Sequence, residues 1–272
     1  MHNTSNLRKT LQFVRNMKLG DHGIFFYRSP HGKHEVLFNF LEDGIQKGEG
    51  AIYVAAQETS KQIRKNMKDF GLKVKTLERD GVLRIFDYDK WYIIDGEVNG
   101  ARTIMLGQRV LGEAIEIGLE GLRACGEAAC YFEQEKEKEL VEYELVLERE
   151  FNFPLTLLCT YDVNHIKSLE EKLFFNLIKA HGSVVTSSFA REVKFGNYFP
   201  TIVREVLDTV FGEMGEEAIL RMLEERYSIK PFVSIGEDPG SFTEGLEALI
   251  GSGAQVVTRL VAERMYAKMG IT

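Results

Sequence analysis

A strict alternation constrains this chain more than any other feature. Short apolar runs rich in β-branched and aromatic residues recur, and a stretch with helical apolar spacing follows most of them. Gly23–Arg28 (GIFFYR), Ala51–Ala56 (AIYVAA), Val82–Asp87 (VLRIFD), Leu122–Tyr131, Leu155–Tyr161 and Val184–Phe189 read as strands. Residues 35–46, 60–70, 103–119, 135–149 and 168–181 read as helices, with Gly71 ending the second. Runs that are apolar throughout belong to strands covered on both faces. The expectation is therefore an α/β fold with a mostly parallel sheet and helices on both sides.

The pattern changes after Ala190. Residues 191–200 contain Gly196 and Pro200 and read as a linker. Beyond them the chain is helical: Ile202, Val203, Val206, Leu207 and Val210 share one stripe, and further stripes run through Ile219, through Leu246 and through Val257. Breaks are expected at Gly215 and at Gly251–Gly253, with a loop over Ser234–Gly240. The expected division is an α/β domain over 1–195 and an all-α domain over 196–272.

Charge narrows the function classes. The net charge is −7, and acidic residues outnumber basic ones in the helical tail, which disfavours a nucleic-acid partner. No apolar run is long enough to cross a bilayer, and the first twenty residues have no apolar core of a signal peptide. Three cysteines, each inside an apolar run, fit reduced thiols and a cytoplasmic location. No spacing among His31, His34, His181 and the cysteines matches a metal motif, so no metal is expected. His22, just before its strand, reads as a structural hydrogen-bonding residue.

The first strand, turn and helix carry the most chemistry. A phosphate-binding loop runs from a strand through G-x-x-x-x-G-K-[ST] into a helix; backbone N–H groups hold phosphates, the lysine reaches the terminal ones and the hydroxyl binds magnesium. The equivalent residues here are Tyr27-Arg28-Ser29-Pro30-His31-Gly32-Lys33-His34. Gly32 and Lys33 are in place. Tyr27 replaces the first glycine, Pro30 removes an N–H from the loop, and His34 replaces the hydroxyl.

With Lys47-Gly48-Glu49 and the pair Gln57–Glu58 after the second strand, the opening resembles RecA/KaiC-type ATPases. That resemblance implies that Glu58 is a surviving acid of the water-polarising pair and that Glu127, after Leu122–Gly126, is the Walker B acid. The stretch from Gly20 to Tyr198 is more similar to the MEDS domain, a sensory domain named from methanogens, methylotrophs and a dichloromethane-responsive repressor. The marks are His22, Phe26–Tyr27, Phe40–Leu41, Gly44, Gly48–Glu49, Tyr92, Asp95–Gly96, Arg123, Gly126–Glu127, Leu158–Asp162, His181 and Asn197–Tyr198. The resemblance implies a RecA/KaiC-like sheet without a working phosphate loop. It also implies a small organic ligand, of the kind proposed to be a hydrocarbon derivative, and a signal passed to an attached domain. The helical tail is similar to a small output domain of archaeal sensors.

Ligands of open α/β sheets bind at the carboxyl ends of the strands. Tyr27, Arg28, Gly32, Lys33, Glu58, Glu127, Tyr161 and Asp162 are expected there, with Trp91 and Tyr92 as an aromatic cover. For each there is a plainer reading: core for Tyr27, a helix cap or an Arg123 partner for Glu127, core for Trp91–Tyr92. The sequence thus points to a non-catalytic sensor that signals through its helical domain to a protein partner, with homo-oligomerisation left open. Two alternatives stand beside it: a nucleotide-binding KaiC-like regulator using Gly32–Lys33, with a nucleotide as cofactor, and a transcription regulator or scaffold acting through the tail.

Overall fold

The structure, a computed structural model, describes residues 2–150, 152–231 and 233–271. It divides into two compact units. One comprises Met1–Ser168 with Ser183–Arg191, the other Leu169–Gly182 with Glu192–Thr272.

In chain order the first unit runs α1 (His2–Asn16), β1 (His22–Tyr27), α2 (Pro30–Gln46), β2 (Gly50–Ala55), α3 (Ser60–Phe70), α4 (Val74–Arg79) and β3 (Leu83–Asp87). It continues with β4 (Ile93–Ile94), β5 (Glu97–Val98), α5 (Gly100–Glu116), β6 (Leu122–Glu127), α6 (Ala129–Glu133), α7 (Glu137–Glu150), β7 (Leu155–Asp162) and α8 (Val163–Ser168). After α9 (Glu171–Lys179), which belongs to the other unit, come β8 (Ser183–Thr186) and β9 (Phe189–Glu192). The main sheet has seven strands in the order β3-β2-β6-β7-β1-β8-β9. The pairs β1–β7, β1–β8, β2–β3, β2–β6 and β6–β7 are parallel. The α/β class with a mostly parallel sheet and a C-terminal helical region is as expected.

Successive side chains on a strand face opposite sides, and parallel partners share a side. Phe25, Tyr27, Tyr53, Cys125 and Leu158 therefore lie on one face, under Val14, Val36, Leu37, Phe40, Ile63 and Met67 from α1, α2 and α3. The other face carries Ile24, Phe26, Ile52, Val54, Ala124, Leu157, Cys159 and Tyr161, with α5 and α7 over part of it. Arg123, buried completely, ties α1 to the first face. It pairs with Glu49 at 2.6 Å and donates to the carbonyls of Met17 and Phe40.

Two boundaries differ from expectation in this unit. Helix α2 begins at Pro30, not Glu35, because Ser29 caps it: its Oγ accepts the Gly32 N–H at 3.3 Å, and Pro30 pre-sets φ for the first turn. The segment Leu122–Tyr131 is a strand only to Glu127 and then turns into α6.

The second unit holds α9, α10 (Phe195–Tyr227), α11 (Ser234–Glu237), α12 (Pro239–Ile250) and α13 (Gly253–Lys268). The expected linker over 191–200 is largely helical, since α10 starts at Phe195 and includes Pro200. The break in α10 falls at Gly212 (φ +71), not Gly215, and the expected loop before Gly240 holds α11. Asp238 starts α12, its Oδ1 accepting the N–H groups of Gly240 and Ser241. Helix α9, expected inside a domain ending at residue 195, groups with these helices. The rings of Phe174 and Phe175 lie 4.6 and 4.7 Å from those of Tyr266 and Phe199. Among the described residues, no helix is long and apolar enough to cross a membrane.

Candidate functional site

The carboxyl ends of β1, β2 and β6 converge on Lys33. This lysine sits in the second turn of α2, fully buried, and its Nζ donates to Glu127 Oε1 at 2.5 Å and to Gln57 Oε1 at 3.2 Å. Glu58 Oε2 is 3.1 Å away, and the ammonium lies 5.2 Å from the centre of the Tyr27 ring. Glu127 ends β6 with no exposure and is saturated by donors: Lys33, the Tyr53 hydroxyl at 2.6 Å, and the N–H groups of Ala56 and Gln57 at 2.9 and 2.7 Å. Glu58 also meets His34 Nε2 at 2.6 Å and Asn66 Nδ2 at 2.8 Å. The Tyr27 hydroxyl donates to Gln57 Oε1 at 3.1 Å.

The electrostatics are those of a closed network. Burial by itself would raise the Glu58 carboxyl, but Lys33 and then His34 outweigh it and hold it below its ordinary value. Burial, then the Glu127 charge, pushes the Tyr27 and Tyr53 phenols up, so both remain donors. Only Arg28 and Ser29 separate the strand from the helix, and Ser29 takes the Gly32 N–H. Pro30 contributes no N–H to this turn.

A second feature lies on the opposite face. A cavity of about 50 Å³ is walled by Ile52, Val54, Ala124 and Leu157 from the sheet, by Tyr143 and Gly107 from the helices, and by Trp91 and Tyr92. Trp91 and Tyr92 lead into the antiparallel β4–β5 pair, whose Asp95–Gly96 turn has positive φ at both residues (56° and 78°), the signature of a tight two-residue hairpin. Trp91 is held 4.9 Å from the Phe86 ring, and its carbonyl accepts the Thr103 hydroxyl. Tyr92 packs 5.5 Å from Tyr131. Its hydroxyl rests on Gly126, where a Cβ would lie 1.8 Å from the oxygen, so this position requires glycine.

The ten residues expected at one ligand edge therefore separate. Tyr27, Lys33, Glu58 and Glu127 come together, and Gly32 lies in the helix turn beside them. Arg28 is exposed. Trp91 and Tyr92 wall the cavity across the sheet. Tyr161 does not share a site with Tyr27: strand alternation turns it to the opposite face, where its hydroxyl donates to Glu144 Oε1 at 2.6 Å. Asp162 caps α8 by accepting the Asn164 N–H. Reading the sequence did not single out Tyr53, and it named Gln57, His34 and Gly126 without placing them among the site residues. Tyr53 was accessible in principle, since alternation from Ala55 puts it on the α2 face. Gly126 was not, because its role depends on where Tyr92 lands.

Comparison with known proteins bears on what this arrangement is. A segment of 77 residues is 36% identical to circadian clock protein KaiC3 of Synechocystis, covering 28% of this chain and 14% of that protein. A segment of 56 residues is 41% identical to a UPF0273 protein of Pyrococcus furiosus, covering 21% of this chain and 23% of that protein. The matched segments thus span less than a quarter of either relative. A solved KaiC-like protein from Pyrococcus horikoshii matches with a TM-score of 0.47 and 18% identity over 62% of this chain and 71% of that one. The family model for MEDS, the MEthanogen/methylotroph, DcmR Sensory domain, matches residues 21–181, more than half of the chain, and the chain belongs to that family.

Proposed function

We propose that this chain is a non-catalytic sensor that takes a small, largely apolar organic molecule in the cavity beneath Trp91 and Tyr92. The cavity carries the reading: it is partly enclosed, mostly apolar, bounded by an aromatic cover and set against the middle of the sheet face. Its volume of about 50 Å³ is roughly a third of an apolar cavity that holds benzene. It suits a molecule of one to four heavy atoms, in keeping with a simple hydrocarbon derivative, and is too small for a nucleotide. Binding that favours one arrangement of the Trp91–Val98 cover would shift its population, and the helical unit is the element proposed to relay this to a protein partner.

A degenerate phosphate loop supports the non-enzyme reading. His34 stands where the magnesium-binding hydroxyl belongs and is bonded to Glu58, while Lys33 is neutralised by Glu127 and Glu58. The same cluster favours the second reading, a nucleotide-binding regulator of KaiC type. There the lysine and two acids would be a resting site that reopens around magnesium and phosphate.

Thermal unfolding with dichloromethane and other one- to four-carbon halogenated or oxygenated probes, against Mg-ATP, separates the two. A probe at about 100 times its Kd stabilises the folded chain by about 2.7 kcal/mol, a rise of about 5–10 °C for a unit this size. The sensor reading expects that rise with an organic probe and none with Mg-ATP. A rise with Mg-ATP alone, abolished by Lys33→Ala, would overturn it in favour of the regulator.

A further inference from the structure

We propose that His22, Cys159 and Glu144 form a binding site for a divalent metal ion of the zinc class. The proposal is independent of what the cavity takes. His22 opens β1, Cys159 lies on β7 and Glu144 lies on α7. Strand alternation puts His22 and Cys159 on the same face as Tyr161, and α7 brings Glu144 onto it. The three ligand atoms are already mutual neighbours. His22 Nε2 is 3.3 Å from Cys159 Sγ and 3.5 Å from Glu144 Oε2, and the sulfur is 3.7 Å from that oxygen.

Those separations match the edges of a coordination tetrahedron. With metal bonds of about 2.3 Å to sulfur, 2.0–2.1 Å to nitrogen and 2.0–2.2 Å to oxygen, tetrahedral ligands stand about 3.4–3.6 Å apart. The observed values depart from this by about 0.3 Å or less, so an ion needs only small side-chain shifts to enter. Imidazole, thiolate and carboxylate are a donor set that suits zinc. All three side chains are buried, and a dication balances the thiolate and the carboxylate together.

The surroundings are those of a ligand site. Glu144 offers Oε2 to the cluster while its Oε1 is fixed by the Tyr161 hydroxyl, the kind of outer bond that orients a ligating carboxylate. Without an ion, burial and then the Glu144 charge hold the Cys159 thiol protonated. On binding, that proton leaves to solvent, the sulfur–metal bond replaces the S–H bond, and no oxidant or reductant is involved. Cys159 also lines the 50 Å³ cavity, so the ion would sit at its edge.

The test uses the full chain, stripped with a chelator and titrated with Zn²⁺ and with Co²⁺. The expected result is one ion per chain, a thiolate-to-cobalt charge-transfer band, and a raised Tm with Zn²⁺. Cys159→Ser should abolish the band. Tyr161→Phe should keep it but weaken binding about 10–100-fold, the usual effect of losing an outer-shell partner. Should Cys159→Ser fail to fold, alkylation of the native chain mapped by mass spectrometry replaces it. Zn²⁺ should then protect Cys159 beyond any protection of Cys125 and Cys130. No charge-transfer band, unchanged uptake in Cys159→Ser, or equal labelling of Cys159 with and without Zn²⁺ would each overturn the proposal and leave a hydrogen-bonded structural cluster.

Discussion

Replacing Glu127 by leucine tests the closed network most sharply. The change leaves the Lys33 ammonium fully buried, with Glu58 at 3.1 Å and Gln57 at 3.2 Å, and strips the acceptor from the Tyr53 hydroxyl and from two N–H groups. Breaking a buried ion pair from one side costs about 3–5 kcal/mol, and each orphaned donor adds about 1–3 kcal/mol where water does not reach it. Lys33→Met is milder, because Glu127 keeps three donors and Glu58 keeps His34 and Asn66. The double variant removes both charges and replaces the pair by apolar groups of similar volume, so its loss should fall short of the sum of the single losses by about 2 kcal/mol or more. Urea unfolding of the four proteins measures this coupling. Additivity within about 0.5 kcal/mol would refute the claim that Lys33 and Glu127 are a buried, mutually neutralising pair.

Other perturbations follow from the same geometry. Glu58 is held below its ordinary value of 4.5, so its contribution to stability is complete above that value and drains away as pH falls through the lower folded value; Lys33→Met should flatten this acid limb in unfolding curves recorded against pH. Gly126→Ala should cost about 1–3 kcal/mol by driving Tyr92 off its seat, and Tyr92→Phe should recover part of the loss, since the hydroxyl oxygen is the atom at 1.8 Å; recovery is read by thermal unfolding of the pair. Ending the chain at residue 195 removes Phe199 and Tyr266 from around Phe174 and Phe175, both fully buried, so this fragment should aggregate where the whole chain does not, as light scattering would report.

How far the sequence could be read follows the range of the interactions. Strands β1, β2, β3 and β7 were legible within a residue or two because their apolar runs are continuous, and α3 because Gly71 ends it. The start of α2 was not: the pattern pointed to the first apolar residue, while the cap at Ser29 and the fixed φ of Pro30 start the helix five residues earlier. Pro200 suggested a linker, yet α10 carries it inside. Gln57 stood in the pair only as the replacement of an acid, although its side chain meets both Tyr27 and Lys33. Sequence order put Tyr161 with Tyr27 at the strand ends; which side of the sheet each occupies depends on register, and β1–β7 pairing aligns Tyr161 with Phe26. The His22–Glu144–Cys159 cluster has no local spacing to reveal it, because three distant segments supply one residue each.

The most direct measurement of the central claim fills the cavity and asks whether the sensor goes blind. Gly107 on α5 lines the cavity, and a Cβ added there meets nothing within 4 Å, so the first carbon of Gly107→Leu enters open space while the rest of the side chain takes up the cavity, and the change improves helix propensity by about 1 kcal/mol. Thermal unfolding of this variant and the unaltered chain, each with and without the organic probe that stabilises the latter, gives a clear reading. The account predicts a Tm without probe that is equal or higher in the variant and a probe-induced rise reduced to near zero. A rise of the same size in Gly107→Leu would contradict it, because the molecule would then be binding somewhere other than beneath Trp91 and Tyr92.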